Sequence, residues 1–168
     1  PSGAPGRGAN VFKAKNGVKI GVININGRVF MDALECPFKA AFKAAEELAA
    51  ETKIIIVDIH AEATSEKIAL GWYLDGKVSA IFGTHTHIQT ADEKILPQGT
   101  AYITDVGMTG PYESVIGRRV EDVLTRFLSS IPVRFQVAEG DIQLHGALVE
   151  IDEVTGKARS ILRIQKKI

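Results

Sequence analysis

IIIVDIHAE, residues 54–62, and VSAIFGTHTH, residues 78–87, are the two stretches that decide the fold. Each begins with a short apolar run that is typical of a buried strand, and each ends in or just after histidine. In an open α/β sheet, ligands collect at the edge where the carboxyl ends of the strands meet. We therefore expect His60, His85 and His87, three of the four histidines in the chain, to converge at that edge.

The spacing of these histidines supports a metal site, although a structural role is an alternative for each motif. His85 and His87 are two residues apart, so on an extended backbone their imidazoles point to the same side. Neutral imidazole is a common ligand of Zn, Fe, Mn and Ni. A His-x-His pair at a strand end can also be a solvated surface pair, and His60 alone can be a hydrogen-bonded core residue. Because both motifs follow strand-like runs, together they favour a metal site.

The rest of the chain alternates between strand-like and helix-like patterns, which predicts an α/β fold with mixed strands and helices packed outside them. Asn-Gly at residues 16–17 is typical of a hairpin, and Pro37 precedes an alanine-rich helical pattern. Thr64 is expected to cap a second helix that ends at Gly76, with Trp72 in the core or, alternatively, stacking on a base. The predicted strands are 11–14, 18–24, 54–57, 78–82, 100–104, 133–138, 142–151 and 160–164, and the predicted helices are 38–49, 64–75 and 120–128. Residues 105–111 are predicted to form a glycine-rich loop.

Composition excludes several classes of function. Lys+Arg and Asp+Glu are both 20, so the chain lacks the basic footprint of a duplex nucleic-acid binder and the polybasic run of a membrane-surface protein. No apolar stretch approaches the roughly 20 residues of a membrane span. Cys36 is the single cysteine, which rules out an intramolecular disulfide and suits a reducing cytoplasm. We expect Cys36 to pack as a small hydrophobe.

Three segments resemble a known family. They are DIHAEATSEKIALGWYLDGKVSAIFGTHTHIQTAD at 58–92, ILPQGTAYITDVGMTGPY at 95–112 and PVRFQVAEG at 132–140. They resemble the YmdB-like metallophosphoesterases of bacteria, which are 2′,3′-cyclic-nucleotide 2′-phosphodiesterases distantly related to calcineurin-like phosphoesterases. The resemblance covers nearly the whole chain. It implies part of a four-layer α-β-β-α sandwich, in which two mixed sheets lie face to face with helices on the outer sides.

The resemblance also implies a mechanism and roles for single residues. His60 and His85 would hold one divalent ion, Fe, Mn or a similar metal, and His87 would help to hold a second. A metal-activated hydroxide would then attack the phosphorus of a 2′,3′-cyclic nucleotide or related phosphodiester, and an RNA-related role is a further possibility. From their positions in the sequence, four further residues are expected to support the ligands or contact the substrate: Glu62 and Thr64 beside His60, and Asp105 and Arg28 directly after predicted strands. Helix capping is the structural alternative for Thr64, and a tight turn is the alternative for Asp105.

Other motifs of the family do not occur in this sequence. They are a metal-binding Asp after a first strand, a Glu-Asn pair, and a Gly-Asn-His motif whose His acts in catalysis. Residues 1–168 are therefore expected to be the carboxyl-terminal part of one metallophosphoesterase domain, with residues 1–10 as a loop. Such a portion would bind at most one ion weakly and would be inactive alone. Missing partner strands would expose a sheet edge and favour a homo-oligomer. The alternative is a non-enzymatic interaction or regulatory module that keeps the histidines for packing.

Overall fold

Nine strands and three helices make up the fold in the computed structural model, which describes residues 5–32 and 34–168. The strands are β1 (Ala9–Lys13), β2 (Lys19–Asn26), β3 (Ile55–His60), β4 (Ala80–Thr84), β5 (Lys94–Ile95), β6 (Ala101–Ile103), β7 (Thr109–Pro111), β8 (Ile142–Ile151) and β9 (Ala158–Lys167). The helices are α1 (Pro37–Ala49), α2 (Thr64–Tyr73) and α3 (Val120–Ser129). The expected α/β class, with mixed sheets and flanking helices, is confirmed.

A six-stranded sheet in the order β1-β2-β3-β4-β6-β5 carries the site. Strands β2, β3, β4 and β6 run parallel to one another, and the antiparallel strands β1 and β5 form the two edges. The β1–β2 hairpin confirms the turn predicted at Asn-Gly. Because the four central strands are parallel, their carboxyl ends lie along one edge of the sheet.

The two faces of this sheet pack differently because side chains alternate along each strand. Ile55, Val57 and Ile59 point to one face, where they are buried with residues of α1 and α2 such as Leu48 and Leu70. Burying an aliphatic side chain of this size stabilises the fold by about 1.5–3 kcal/mol. The hydrophobic face of the sheet and the two helices therefore form the main core.

The other face of the sheet packs against a second, three-stranded antiparallel sheet in the order β7-β8-β9. Ala80, Ala101 and Ile103 of the first sheet form a smaller core with Ala158 and Ile161 of the second. A cavity of about 300 Å³ opens between the sheets, lined by Asp58, Phe82, Thr84, Val106, Gly146 and Ala147. The even-numbered positions of β3 and β4, which include His60 and Thr84, thus belong to the face that looks toward the second sheet.

Gly83 brings β4 and the end of β6 unusually close together. A Cβ atom at Gly83 would lie 1.7 Å from the carbonyl oxygen of Thr104 and 2.9 Å from Cδ of Lys67. No side chain fits such a space, because real Cβ atoms do not approach backbone oxygen so closely. The residue directly before Thr84 and His85 must therefore be glycine.

Several predictions about single elements were wrong. Residues 133–138 do not form a strand, and only an isolated bridge joins Val137 to Arg118. Part of the predicted glycine-rich loop at 105–111 is strand β7, and Trp72 is 54% exposed instead of packed in the core. Thr64 is the first residue of α2, whose N-cap is Ala63, so Thr64 does not cap the helix.

The amino-terminal loop is shorter than predicted, since β1 starts at Ala9, and residues 1–4 of that predicted loop lie outside the described residues. Helix α1 begins at Pro37 as predicted, with Cys36 at its N-cap. Cys36 is a free, half-buried thiol. In the part of the chain that the structure describes, no helix has the length and apolar character needed to cross a bilayer.

Candidate functional site

His60 and His85 meet at the carboxyl edge of the six-stranded sheet. His60 is the last residue of β3 and is paired in register with Thr84, the last residue of β4, so His85 follows directly. Nδ1 of His85 lies 3.0 Å from Nε2 of His60, and the ring centroids are 4.8 Å apart in an edge-to-face arrangement. The structure therefore brings together two of the three histidines that the sequence pointed to.

A chain of hydrogen bonds fixes the tautomer of His60. Asp58 accepts hydrogen bonds from the side-chain amide of Asn24, at 2.7 Å, and from the hydroxyl of Thr84, at 2.8 Å. Since the Thr84 proton points to Asp58, the hydroxyl oxygen can only accept from Nδ1 of His60, 3.1 Å away. Nδ1 of His60 therefore carries a proton, so a neutral His60 has its lone pair on Nε2.

His85 links His60 to Glu62. Its Nδ1 is hydrogen-bonded to Nε2 of His60, and its Nε2 lies 2.8 Å from Oε2 of Glu62. Both contacts are satisfied at once when His85 is protonated, because both of its nitrogens then donate. His60, His85 and Glu62 thus form a linear chain of contacts in which His85 is the middle member.

His87 points elsewhere. Its Nδ1 lies 3.0 Å from the carbonyl oxygen of Ile116, and its side chain is exposed. His85 and His87 both have positive φ angles, 107° and 67°. The backbone between them is therefore not extended, and the same-side direction predicted for the two imidazoles rested on an extended backbone.

Asp105 is placed differently from the prediction that it orients a ligand histidine. Its carboxylate is fully buried and accepts hydrogen bonds from Nζ of Lys67, at 2.9 Å, and from the amides of Thr86, at 3.0 Å, and Gly107, at 2.9 Å. Nζ of Lys67 also donates to the carbonyl of Thr84 at 2.7 Å. Asp105 therefore contacts the backbone of the histidine loop and not an imidazole.

The two other candidates lie at the rim of the site. Thr64 is exposed in the first turn of α2, which follows His60 along the chain. Arg28 is exposed on the loop after β2, where its backbone amide donates to the carboxylate of the buried Glu66 at 3.2 Å. This bond anchors the start of the loop beside β3, and the amide of Gly27 adds a bond to the carbonyl of His60.

A buried polar network supports β6 beneath the site. Burial opposes ionisation of Asp92, but hydrogen bonds from Thr104 and Thr90 outweigh it and lower the pKa of this carboxyl. Burial raises the pKa of the Tyr102 hydroxyl to about 12, and its hydrogen bond with Thr104 only partly offsets that effect. This network holds the end of β6, from which Asp105 projects.

The chemistry available at the edge is that of nitrogen and carboxylate donors. Within residues 5–32 and 34–168, no group of three or more His, Cys, Asp or Glu side chains is arranged to hold a metal ion. Glu62 contacts His85, and His85 contacts His60, so the three side chains are joined one after another. The described residues thus offer a pair of imidazoles with one carboxylate behind it.

The sequence interpretation missed three residues that organise the site: Asp58, Thr84 and Lys67. A signal for the first was available, because Asp58 is two residues before His60 and so shares its face of β3. Thr84 adjoins His85, but its role depends on the register between β3 and β4. The role of Lys67 depends on a contact with Asp105, which is 38 residues away.

Comparisons with known proteins agree with this fold. The family model described as YmdB-like protein matches residues 1–164. The chain is 54% identical over 164 residues to the 2′,3′-cyclic-nucleotide 2′-phosphodiesterase of Bacillus subtilis (strain 168), and the match covers 98% of this chain but only 62% of that relative. The chain thus spans less than two thirds of the length of this relative.

Two solved structures share the fold. A hypothetical protein from Thermus thermophilus superposes with a TM-score of 0.91 at 42% identity, over 99% of this chain and 64% of that one. A novel phosphatase from Mycoplasma pneumoniae superposes with a TM-score of 0.87 at 39% identity, over 96% of this chain and 58% of that one. Sequence and structure give the same assignment along almost the entire chain. The chain therefore belongs to the YmdB-like family.

Proposed function

We propose that this chain carries part of the site of a metal-dependent phosphodiesterase that acts on 2′,3′-cyclic nucleotides or related phosphodiesters. The observation that carries the proposal is the Asp58–Thr84–His60 hydrogen-bond chain, which leaves the Nε2 lone pair of His60 facing His85. Hydrogen bonding of the other ring nitrogen is the usual way in which proteins orient a histidine ligand. The activity printed for the Bacillus subtilis relative supports the same substrate class.

The distance between the two imidazole nitrogens matches that of two neighbouring ligands of one divalent ion. Two nitrogens that each lie about 2.1 Å from one ion, at a right angle to each other, are about 3.0 Å apart. Nε2 of His60 and Nδ1 of His85 are separated by 3.0 Å. Loss of the proton between them would leave two lone pairs in close contact, which a cation would stabilise. His60 and His85 would hold this ion, and Glu62 would remain beside His85 to offset its charge.

His87 would contribute to a second ion only together with ligands that the described residues do not supply. Two divalent ions about 4 Å apart repel each other strongly unless a carboxylate bridges them. When bound, such ions would polarise the phosphoryl oxygens and lower the pKa of a water molecule. We propose Fe or Mn for these ions, and that residues 1–168 alone bind at most one ion weakly and have little phosphodiesterase activity.

In this function each residue of the chain has a distinct part. Asp58 and Thr84 hold the proton of His60 on Nδ1, away from the side that faces the ligand. Glu62 lies on the open side, 52% exposed, where it can accept a hydrogen bond from Nε2 of His85 and so keep the proton of a neutral His85 on Nε2, away from Nδ1. Arg28, exposed on the adjacent loop, would attract the phosphate group of the substrate to the mouth of the site.

A non-enzymatic module remains the second candidate, and one observation favours it. The contacts among Glu62, His85, His60 and Thr84 satisfy one another without any ion. On this alternative, the chain of hydrogen bonds has a structural role and joins β3 to the loop after β4. On that interpretation the protein binds no metal at this edge.

Metal binding and turnover decide between the candidates. We expect Mn²⁺ to bind to the chain, and His85→Ala to weaken binding about 10–100-fold. His145→Ala is the matched control. His145 lies on β8 of the second sheet, where it contacts Gln143 of the same strand and Tyr112, which follows β7. Equal Mn²⁺ affinity for both variants, or no binding at all, would favour the non-enzymatic module.

Hydrolysis of a 2′,3′-cyclic nucleotide with added Mn²⁺ should be compared for residues 1–168 and for the full-length Bacillus subtilis relative. We expect turnover by the relative and little by residues 1–168. Comparable rates would show that residues 1–168 contain the whole catalytic machinery.

An edge strand and an exposed apolar helix face favour self-association of the chain. Among the described residues, β1 lies at the edge of the six-stranded sheet and pairs with β2 alone, and Phe127 and Leu128 of α3 are 77% and 85% exposed. Exposed edges and apolar faces favour pairing with another copy, so we propose a homo-oligomer. A light-scattering mass of one chain at high concentration would contradict this.

The single free Cys36 suits a cytoplasmic location.

A further inference from the structure

We propose that the buried Lys67–Asp105 ion pair is a positioning device for His85, and that it sets the direction of this imidazole toward His60. The inference rests on the proposed function for its consequence in metal binding, but its geometry does not involve a metal. Both side chains of the pair are 0% exposed, and their charged atoms lie 2.9 Å apart.

The pair holds the peptide groups on both sides of His85. Nζ of Lys67 donates to the carbonyl of Thr84, the residue before His85, at 2.7 Å. Oδ2 of Asp105 accepts from the amide of Thr86, the residue after His85, at 3.0 Å. The ion pair therefore holds the backbone of His85 on both sides, at Thr84 and at Thr86.

His85 needs such support because its backbone is strained. Its φ angle of 107° lies in a region that residues with a Cβ atom seldom adopt. Strained residues of this kind persist only where the surroundings hold them in place, and they are concentrated at functional sites. Without the two charge-assisted bonds, the loop would relax to a more common φ and turn His85 away from His60.

Stability alone does not explain a fully buried ion pair at this position. The cost of removing two charges from water is comparable to their mutual attraction, and a well-packed apolar pair is often equally stable. An apolar pair could fill the space between α2 and β6. It could not donate to the carbonyl of Thr84 or accept from the amide of Thr86.

Gly83 shows how the lysine reaches the loop. A Cβ atom at position 83 would lie 2.9 Å from Cδ of Lys67 and 1.7 Å from the carbonyl oxygen of Thr104. The lysine stem thus passes directly under the backbone of β4 through a space that only glycine leaves open. Helix α2, which begins four residues after His60, is in this way connected to the loop that carries His85.

The test uses the metal-free protein labelled with ¹⁵N in histidine and the backbone. The double variant Lys67→Met and Asp105→Leu removes both charges together, leaves no lone buried ion and leaves no side-chain acceptor for the Thr86 amide. We expect loss of the His60–His85 hydrogen-bond signal in the imidazole ¹⁵N spectrum and loss of hydrogen-exchange protection at the Thr86 amide. Leu74→Ala is the control, because Leu74 is fully buried just after α2 and its truncation lowers stability without touching the loop.

A positioning role predicts that the Leu74→Ala protein keeps both signals. Retention of both signals in a folded double variant, or equal loss of them in Leu74→Ala, would overturn the proposal. If the double variant does not fold, Lys67→Met alone gives the answer, because it removes the bond to the carbonyl of Thr84 and leaves Asp105 bonded to the amides of Thr86 and Gly107. Retention of the His60–His85 hydrogen-bond signal in this folded variant would also overturn the proposal.

Mn²⁺ titration of the same proteins separates this proposal from the proposed function. We expect the double variant to bind Mn²⁺ about 10–100-fold more weakly than the wild type. Failure of the wild type to bind Mn²⁺ would contradict the proposed function, while the metal-free signals would still decide the role of the ion pair. Equal Mn²⁺ affinity for wild type and double variant would contradict the positioning role.

Discussion

The hydroxyl of Thr84 lies 3.1 Å from Nδ1 of His60 and directs its own proton to Asp58. Through this one contact, the last residue of β4 determines which nitrogen of His60 is protonated. The two residues are paired in the parallel register of β3 and β4, so the sheet itself sets their separation.

Thr84→Val should weaken Mn²⁺ binding because it removes the hydroxyl that fixes the tautomer of His60 while keeping the size of the side chain. We expect a loss of about 10–100-fold in affinity. Calorimetric titration of the variant with Mn²⁺ measures it. Thr125→Val is the control, since Thr125 is exposed on α3, which carries none of the candidate site residues. An affinity loss in the control as large as in Thr84→Val would mean that the hydroxyl near His60 is not the cause.

Gly83→Ala should destabilise the fold severely, because its Cβ would overlap the carbonyl oxygen of Thr104. We expect a loss of about 3 kcal/mol or more in the free energy of unfolding. Gly146→Ala is the matched control, since a Cβ there meets nothing within 4 Å. Urea unfolding monitored by circular dichroism gives both values. Similar midpoints for the two variants would contradict the close approach of β4 and β6.

Trp72→Ala should change stability little, because the indole is 54% exposed and contributes little to the core. Leu74→Ala, two residues later, should cost about 2–5 kcal/mol, since Leu74 is fully buried. Thermal and urea unfolding of the two variants measure the difference. A loss for Trp72→Ala equal to that of Leu74→Ala would indicate that the tryptophan belongs to the core after all.

Asp92 should make the protein less stable in acid. Its hydrogen bonds lower its pKa in the folded state, so the unfolded chain binds a proton at higher pH than the folded one. Its contribution is complete above the ordinary Asp pKa of about 4 and is lost as the pH falls through the lower folded value. The difference in unfolding free energy between wild type and Asp92→Asn should therefore shrink as the pH is lowered from about 6 to about 3. A constant difference would show that Asp92 is not responsible.

Local sequence patterns predicted most of the central sheet because its strands carry their own signal. The runs before His60 and His85 are apolar enough to be buried, and parallel strands end at one edge, so the contact between these two histidines followed. The direction of His87 did not follow, because positive φ angles at His85 and His87 break the extended backbone on which the prediction relied.

Other features depend on contacts that local pattern does not contain. Residues 133–138 alternate like a strand, yet a strand also needs a partner, and only Val137 has one. Trp72 has the size of a core residue, but its position on α2 faces solvent. From the sequence, Asp105 was predicted to accept a hydrogen bond from a histidine. In the structure its carboxylate is paired with the buried Lys67 of α2 instead.

The strand order has a consequence for how the chain assembles over time. The β1–β2 and β8–β9 hairpins join neighbouring segments, so each closes a short loop, whereas pairing β3 with β4 and β4 with β6 must first bring distant segments together. We therefore expect pulse-labelling hydrogen exchange during refolding to protect the two hairpins before the amides around His60 and His85. A nascent or partly refolded molecule would then hold most of its secondary structure while its histidine pair is still apart, and competence to bind an ion would be the last property that it acquires.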